Sequence, residues 1–123
     1  MSGKILIVDD DEDLALGLGV RLRASGYQVD VASDAVVATA MTRNDAVDLV
    51  ILDLGLPAGG GLAVLERMRA HLPTALTPVI VLTAGDATLA ERTLAAGADA
   101  FFQKPADNLE LTAAISGMLA RVG

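Results

Sequence analysis

The amino-acid sequence predicts one α/β domain, with a parallel sheet covered by helices on both faces. Short apolar runs of strand length alternate five times with longer segments that have helical spacing. This alternation is typical of parallel strands joined by right-handed helical crossovers. The chain has 123 residues, an ordinary length for one domain with a single hydrophobic core. We therefore expect residues 1–123 to form a single doubly wound domain.

Five apolar runs, most of them rich in β-branched residues, are the predicted strands. They are Ile5–Val8, Val29–Val31, Leu49–Leu52, Val79–Leu82 and Ala100–Phe102. The first, third and fourth runs are apolar throughout, as expected for strands covered on both faces. Five strands favour the flavodoxin-like order 2-1-3-4-5, in which the carboxyl ends of strands 1 and 3 share one crevice.

Apolar residues at helical spacing clearly mark three of the five predicted helices. The three stripes are Leu14, Leu18 and Leu22; Leu62, Leu65 and Met68; and Leu111, Ile115, Met118, Leu119 and Val122. The segments Asp34–Arg43 and Thr88–Ala96 are alanine-rich and have weaker stripes. Gly26 and Gly97 stand where helices are expected to end, and the run Gly59–Gly61 is predicted to be the loop into the third helix.

The composition argues against several classes of function. The formal net charge is −7, which opposes nucleic-acid binding by this domain, because phosphate contacts require a basic patch. The chain has no cysteine, so disulfides and cysteine metal sites are excluded. No apolar stretch reaches the ~20 residues of a membrane span, and no signal peptide precedes the first predicted strand. We expect a cytoplasmic protein without membrane contact.

Five acidic residues, Asp9–Asp13, directly follow the first predicted strand. Helix capping and the helix dipole explain one or two acids here, at a few tenths to ~1 kcal/mol. Two carboxylates ~4 Å apart near a protein surface repel by roughly 4 kcal/mol, and a divalent metal would relieve that repulsion. The run therefore indicates either a metal site at the end of strand 1 or only an acidic helix start.

Polar side chains also follow three other predicted strands. Asp53 ends strand 3, Thr83 ends strand 4, and Lys104 follows strand 5 directly before Pro105. Each has an ordinary explanation, since Asp53 could start a turn, Thr83 could cap the next helix, and Lys104 could belong to a rigid turn with a cis proline. The carboxyl ends of parallel strands meet at one edge of a sheet, so the coincidence favours a single site.

These residue types suit phosphoryl transfer. Asp10 and Asp53 supply the hard oxygen ligands that Mg²⁺ prefers, and a carboxylate can act as a nucleophile toward phosphorus. Lys104 and the Thr83 hydroxyl would neutralise and orient the phosphoryl oxygens. Ala84 has a small side chain and leaves room for a phosphoryl group beside Thr83.

The pattern as a whole resembles the CheY-like receiver domain of two-component response regulators. The matching segments follow the order and spacing of that family: Ile5–Asp10, Asp53–Pro57, Thr83–Ala84, Gly97–Phe101 and Lys104–Pro105. The resemblance implies that Asp53 accepts a phosphoryl group from the phosphohistidine of a sensor histidine kinase or a histidine phosphotransfer protein. It also implies that Asp10 binds Mg²⁺ directly and Asp9 through water, and that the Gly55 backbone carbonyl completes the protein ligands.

The same resemblance implies a conformational switch. Lys104 would pair with a phosphoryl oxygen, Thr83 would move to hydrogen-bond the phosphoryl group, and Phe101 would turn inward. Helix 4, strand 5 and helix 5 would then form the output surface toward an effector domain or protein. Formation of a homodimer on phosphorylation is a further possibility that the sequence does not decide. Such a chain is a signalling domain that catalyses only its own phosphorylation and slow dephosphorylation. The cognate kinase, the output and any further domains are left open.

Three alternative functions fit parts of the pattern. A haloacid-dehalogenase-type phosphatase needs a second aspartate two residues after its nucleophile, where this chain has Gly55. A flavodoxin-like nucleotide binder needs a phosphate-cradling loop after strand 1, where this chain has five acids. A degenerate receiver that serves only for docking is expected to lose the acid pair, Asp53 or Lys104, all of which are present.

Several positions depart from the family pattern, among them Gly55 and Gly85, where relatives commonly have larger side chains. Phe101 stands where relatives often have tyrosine, so it keeps the ring and loses the hydroxyl, and Ala106 stands where the family often has phenylalanine. Other polar residues are interpreted as caps or surface: the only histidine, His71, and the acids Asp11, Glu12, Asp13, Asp86, Asp99 and Asp107.

Overall fold

The computed structural model describes residues 3–57 and 59–122 of the chain, with side chains described up to Ala120. Strands and helices alternate through these residues, as predicted. The elements are β1 (Lys4–Val8), α1 (Glu12–Ala24), β2 (Gln28–Ala32), α2 (Ala35–Asn44), β3 (Leu49–Leu52), α3 (Gly60–Ala70), a 3₁₀ turn (Leu72–Thr74), β4 (Val79–Thr83), α4 (Leu89–Ala95), β5 (Ala100–Gln103) and α5 (Asn108–Val122).

The sheet has the order β2-β1-β3-β4-β5, and every neighbouring pair is parallel. This confirms the predicted flavodoxin-like fold. The direction of winding reverses between β1 and β3, so a crevice opens beyond their carboxyl ends. The register pairs Val8 with Leu52, and the polar residues that follow these two are therefore neighbours at the crevice.

Two aliphatic cores, one on each face of the sheet, hold the fold together. Successive strand residues point to opposite faces: Ile5 and Ile7 pack beneath α1 and α5, whereas Leu6 and Val8 pack beneath α2 and α3. Strands β3 and β4 are buried at every residue, as their apolar sequences predict. Each fully buried aliphatic side chain contributes roughly 1.5–3 kcal/mol, so apolar packing determines the position of the strands.

The observed bounds differ from the predicted ones in a few places. Four strands are longer by one or two residues, because backbone pairing continues through polar residues such as Thr83 and Gln103. Helix α3 begins at Gly60, so two of the three glycines predicted as loop belong to its first turn. The 3₁₀ turn at Leu72–Thr74 was not predicted, since it contains Pro73 and has no helical period. The last member of the predicted α5 stripe, Val122, has a side chain outside the described part.

Helix α4 is short and shallowly packed, and only Thr93 among its seven residues is buried. Its C-terminal end is fixed by Arg69 of α3. The Arg69 guanidinium donates hydrogen bonds to the Gly97 carbonyl at 3.0 Å and to the Thr77 carbonyl at 2.8 Å, and it pairs with Asp99 at 3.2 Å. Helix α4 is therefore anchored at one end, and the end nearer Thr83 has fewer restraints.

Two glycines follow helices α1 and α4 in the left-handed conformation, as the sequence predicts. The φ angle is +98° at Gly26 and +110° at Gly97, a region that glycine enters without steric cost. Within residues 3–57 and 59–122, no helix combines the length and the apolar character needed to cross a membrane.

Candidate functional site

The sheet register brings two carboxylates together at the crevice. The backbone N–H of Asp53 donates to the Val8 carbonyl at 2.9 Å, which extends the β1–β3 pairing by one residue. Asp9 and Asp53, the residues that directly follow β1 and β3, consequently lie side by side. Only 4% and 7% of their surfaces are exposed. Burial of two neighbouring carboxylates opposes their ionisation unless a cation lies close by.

Lys104 supplies one such cation. Its Nζ lies 2.7 Å from Asp9 Oδ2 and 3.6 Å from Asp53 Oδ2. The backbone N–H of Lys104 donates to the Thr83 carbonyl at 2.8 Å, so pairing of β5 with β4 carries the lysine to the crevice. The peptide bond between Lys104 and Pro105 is cis, in agreement with the rigid turn considered from the sequence.

The pKa values of Asp9 and Lys104 are both raised in this buried, charged environment. Burial raises the pKa of the Asp9 carboxyl, and the hydrogen bonds that it accepts from Lys104 and from the Asp11 backbone N–H oppose that rise without cancelling it. Burial alone would lower the pKa of Lys104, but the hydrogen bond to Asp9 and the charges of Asp9 and Asp53 outweigh burial and raise it. Both pKa values are raised, but for different reasons: Lys104 faces two carboxylates, whereas Asp9 is buried and has a second carboxylate beside it. Lys104 is therefore held in its charged form, and the carboxylates of the crevice outnumber the ammonium that contacts them.

Asp53 is oriented by the loop that follows it. Its Oδ1 accepts a hydrogen bond from the Gly55 backbone N–H at 3.2 Å, so the turn considered from the sequence is present and leaves Oδ2 toward Lys104. A Cβ atom at residue 55 would lie 3.9 Å from both carboxylate oxygens. The glycine therefore keeps the approach to Asp53 open.

Sequence reasoning missed one residue that supports Asp53. A Cβ atom at Gly61 would overlap the backbone carbonyl of Asp53, and the Gly61 N–H donates to the Leu54 carbonyl at 3.1 Å. The start of α3 thus packs directly against the loop that carries the carboxylate. The glycine run was the available signal, but it was assigned to the loop and not to this close approach.

The acidic run divides into site residues and helix-start residues. Asp11 is the N-cap of α1, and its side chain accepts a hydrogen bond from the Leu14 N–H at 3.1 Å. Glu12 and Asp13 lie in the first turn of that helix. Asp9 instead faces the crevice, and its Oδ1 accepts the Asp11 N–H at 2.9 Å. The predicted place of Asp11, Glu12 and Asp13 at the start of the helix is confirmed.

Three carboxylates at the crevice fit a small divalent cation. Asp9, Asp10 and Asp53 each offer one oxygen, and the three oxygens lie within 4.8 Å of one another. Asp10 is exposed, which leaves a side open for the water ligands that Mg²⁺ retains. Only one ammonium, that of Lys104, contacts this group in the described part of the chain, so the residues fit Mg²⁺ by donor type and by charge.

The end of β4 completes the crevice. Thr83 is buried, and its Oγ1 accepts the Gly85 backbone N–H at 3.3 Å. It does not cap α4, whose N-cap is Thr88. Gln103, a residue that the sequence did not single out, donates from Nε2 to the Gly85 carbonyl at 3.2 Å. Phe101 is partly buried against the core beneath α2 and α3, on the strand next to β4.

The remaining polar residues lie outside the crevice, as expected. Asp107 accepts the Glu110 N–H at the start of α5, and Asp86 accepts the Thr88 N–H before α4. Asp99 accepts the Val79 N–H at 2.8 Å in addition to its pair with Arg69. Glu12 and Asp13 are exposed in the first turn of α1, as predicted. His71, predicted on the surface, is half-buried at the end of α3.

Comparison with known proteins identifies the family. The sequence matches the response regulator receiver domain over residues 5–116. It is 37% identical over 122 residues to the phosphate regulon transcriptional regulatory protein PhoB of Rhizobium meliloti, covering 98% of this chain and 54% of that protein. It is 41% identical over 120 residues to the transcriptional regulatory protein CpxR of Klebsiella pneumoniae, covering 96% and 50% respectively. The chain thus spans about half the length of these relatives.

Solved structures agree with the sequence relatives. A CheY-like response regulator receiver domain protein from Methanospirillum hungatei superposes with a TM-score of 0.89 at 30% identity, covering 98% of this chain and 96% of that one. The receiver domain of a sensor histidine kinase from Pseudomonas aeruginosa, which has a magnesium ion coordinated in its active site cleft, superposes with a TM-score of 0.87 at 26% identity, covering 98% and 99%. These relatives are signalling proteins and not metabolic enzymes. The chain therefore belongs to the family of response regulator receiver domains.

Proposed function

We propose that this receiver domain stores a signal as a phosphoryl group on Asp53, taken from the phosphohistidine of a sensor histidine kinase or a histidine phosphotransfer protein. The observation that carries the proposal is the placement of Asp53. It is a buried carboxylate at the end of a central strand, with Asp9 on one side and the Lys104 ammonium 3.6 Å away. This surrounding suits transfer of an anionic group, which needs positioning and charge neutralisation.

The proposed transfer is a displacement at phosphorus. An Asp53 carboxylate oxygen forms the new P–O bond, the P–N bond of the phosphohistidine breaks, and its electron pair stays on the imidazole nitrogen. Oδ2 is the oxygen directed toward Lys104, because Oδ1 is engaged by the Gly55 N–H. Lys104 is then in place to pair with a phosphoryl oxygen once the charge on Asp53 moves outward.

Asp9, Asp10 and Asp53, with the Gly55 backbone carbonyl, are the residues we propose to hold Mg²⁺. The close approach of three carboxylate oxygens supports this assignment. When bound, Mg²⁺ would neutralise charge on the phosphoryl oxygens. Asp10 is the exposed member of the group, and we propose that it binds the ion directly while the more buried Asp9 acts through water.

The absence of a built-in base favours a stored signal over rapid turnover. Residue 55 is glycine, so no second carboxylate stands two residues after Asp53 to activate water, as a phosphatase of the haloacid-dehalogenase type requires. We propose that the domain is not an enzyme toward other substrates and that it only accepts, holds and slowly loses its own phosphoryl group.

The proposed output is a rearrangement of α4, β5 and α5. Thr83 would exchange its bond with the Gly85 N–H for one with the phosphoryl group, and Phe101 would turn inward beside it. The shallow packing of α4, which buries only Thr93, supports a movable element on this face. We propose that an effector domain or protein, or a second phosphorylated copy, binds this surface.

We also propose that residues 1–123 form a single receiver domain that acts in the cytoplasm and does not itself bind nucleic acid. The net charge of −7 supports the last point. The named relatives PhoB and CpxR are transcriptional regulators about twice as long as this chain. Any gene-regulatory output would therefore come from a separate domain or partner.

The direct test is incubation with acetyl phosphate and Mg²⁺, followed by intact mass spectrometry. We expect one added phosphoryl group in the wild type and in Asp86→Asn, which removes an exposed acid near the same edge. The adduct should be absent in Asp53→Asn and without Mg²⁺. An adduct that persists in Asp53→Asn, or a wild type that no small donor or kinase can phosphorylate, would refute the proposal.

A further inference from the structure

One exposed stripe of α1 has charged ends and an apolar centre. Its members are Asp13, Leu16, Val20 and Arg23, which recur at spacings of three, four and three residues and therefore lie on one side of the helix. All four are exposed, and 65% of Leu16 and 57% of Val20, at the centre, is open to solvent. The same spacing marks the seam along which two helices pack in a coiled coil. Within the described residues, the chain leaves this seam of α1 uncovered.

A groove beside the seam extends its apolar surface to the edge of the sheet. It lies between α1 and the end of β2, has a volume of about 310 Å³, and is lined by Ala15, Leu16 and Val31 together with polar side chains, Arg23 among them. Val31 is itself 43% exposed, on the strand that forms one edge of the sheet. Single exposed apolar side chains are common on protein surfaces, but a contiguous group of them indicates a contact with a partner.

Arg23 is held in place at the basic end of the seam. Its Nη2 donates to the Val29 carbonyl at 2.9 Å, which leaves other N–H donors of the guanidinium available. Gly19 lies one turn earlier, and a Cβ atom there would lie 3.3 Å from Nη1 of Arg23. The absence of a side chain at Gly19 therefore lets the guanidinium lie close to α1. A cation fixed in this way loses little conformational entropy when an acid of a partner pairs with it.

The seam is complementary to a copy of itself when the two helices run antiparallel. About a two-fold axis near Leu18, Leu16 of each copy faces Val20 of the other, and Asp13 of each faces Arg23 of the other, because both pairs have the same midpoint in the sequence. A parallel pair would instead set Asp13 against Asp13 and Arg23 against Arg23, and like charges repel. The antiparallel pair also brings the positive dipole end of each helix near the negative end of the other. The charges of the seam therefore select both a partner and a direction.

We propose that two copies of this chain associate through antiparallel α1 helices, with Leu16 and Val20 at the centre of the contact and an Asp13–Arg23 ion pair at each end. Val20 of each copy then covers the groove beside Leu16 of the other. A contact built on one helix of each copy is smaller than the ~800 Å² that each partner buries in a standard stable interface. The dimer is therefore weak and reversible.

This dimer differs from a dimer formed on phosphorylation through the output surface. The seam lies on the side of α1 toward β2, whereas the output surface includes β5 at the opposite edge of the sheet. The four seam residues are also not among the groups that surround Asp53 in the crevice. The association therefore requires neither a phosphoryl group nor Mg²⁺, and it does not rest on the proposed function.

The direct test is sedimentation equilibrium of the unphosphorylated chain without Mg²⁺, at concentrations up to about 1 mM so that even millimolar association is detected. The wild type should show a reversible equilibrium between monomer and dimer. Asp13→Arg alone and Arg23→Glu alone should each weaken association about tenfold or more, because each sets like charges against one another at both ends of the seam. An equimolar mixture of the two variants should associate again, since the mixed pair has opposite charges at both ends.

Matched substitutions elsewhere control for net charge and for lost apolar surface. Glu66→Arg and Arg67→Glu make the same changes of net charge at exposed positions of α3, and both should dimerise like the wild type. Leu16→Gln should weaken association about tenfold or more, because the centre of the seam becomes polar. Leu72→Gln, at a leucine that is 91% exposed in the 3₁₀ turn, should not. Leu16→Gln leaves the bond from Arg23 to Val29 intact, so it tests the seam even where Arg23→Glu destabilises the fold.

The outcomes separate this dimer from other forms of association. A wild type that stays monomeric at the highest concentration would overturn the proposal, and so would association that persists in Leu16→Gln. Charge variants that are folded but do not associate when mixed would contradict the antiparallel register. A dimer that forms only after treatment with acetyl phosphate and Mg²⁺ would belong to the output surface and would equally overturn the proposal. None of these results alters the mass spectrometric test of Asp53, so the two proposals stand or fall separately.

Discussion

At the scale of single residues, the crevice concentrates more negative charge than it can neutralise by itself. Asp9 and Asp53 are almost fully buried, and Lys104 is the ammonium that contacts both of them. Fold stability is therefore lower than the cores alone would allow, as is common where groups are placed for function. Substitutions of the crevice carboxylates should therefore change the free energy of unfolding, which can be measured separately from phosphorylation.

Replacing Asp9 should stabilise the metal-free domain. Because burial raises the pKa of Asp9 in the folded state, the native protein holds its proton more tightly than the unfolded chain does. Ionised Asp9 thus costs stability above its folded pKa, and the cost disappears as the pH falls below the unfolded value of 3.8. In Asp9→Asn at pH 7 we expect a gain on the order of 1 kcal/mol, since Lys104 already offsets most of a carboxylate repulsion of ~4 kcal/mol.

Urea unfolding of wild type and Asp9→Asn without metal measures this difference directly. The two proteins should converge as the pH is lowered toward the unfolded pKa. A variant that is less stable than the wild type at pH 7 would show that the pair with Lys104 stabilises the fold by more than burial and repulsion destabilise it.

Two helix glycines, Gly61 and Gly117, differ sharply in what surrounds them. Gly61→Ala should destabilise the domain by roughly 3 kcal/mol or more, because its Cβ would overlap the Asp53 carbonyl and the loop must shift. Gly117→Ala, with nothing within 4 Å, should instead gain up to ~1 kcal/mol from helix propensity. Thermal unfolding of both variants checks the pair, and equal effects would contradict this account of the α3 start.

At the scale of elements, the sheet could be predicted closely and the connections could not. Apolar runs such as Leu49–Leu52 indicate buried strands by themselves, and parallel topology then places Asp53 and Lys104 at one edge. The start of α3 at Gly60 was missed, because glycine carries no side chain that signals a helix. The bond from Gln103 to Gly85 was also missed. It joins residues 18 positions apart, and no local pattern encodes such a contact.

The anchoring of α4 by Arg69 has a measurable consequence. Arg69→Leu removes hydrogen bonds to three carbonyls and the pair with Asp99. We expect a loss of roughly 3 kcal/mol, at ~1 kcal/mol for each bond to a backbone carbonyl. The amides of α4 should also exchange with solvent faster, while those of α1 change only by the global loss. Hydrogen exchange by mass spectrometry compares them, and a uniform increase across the domain would contradict the anchor.

At the scale of the whole molecule, the charge of −7 is unevenly placed. The helix-start acids, Asp11–Asp13, lie beside the three carboxylates of the crevice and add to the negative potential that draws in a cation. Both salt, by screening this negative charge, and Mg²⁺, by binding the carboxylates, should raise the free energy of unfolding. Variants at single acids should distinguish the two effects.

Mg²⁺ should stabilise the domain beyond what NaCl of equal ionic strength does. At about 100 times its Kd, a ligand that binds only the native state adds ~2.7 kcal/mol to the free energy of unfolding. Asp10→Asn should lose most of this gain. Asp13→Asn removes the same charge from the same acidic run but lies in the first turn of α1, so it should keep the gain. Equal losses in both variants would indicate screening and not a bound ion.

The pairing of Val8 with Leu52 has one further consequence. A shift of one residue between β1 and β3 would turn every buried aliphatic side chain of one strand to the wrong face. The spacing of Asp9 and Asp53 is therefore imposed by the cores and not by the acids themselves. Carboxylates can be exchanged for amides without moving the backbone, so such variants report on charge alone, and the same two strands could present other chemical groups at an unchanged separation.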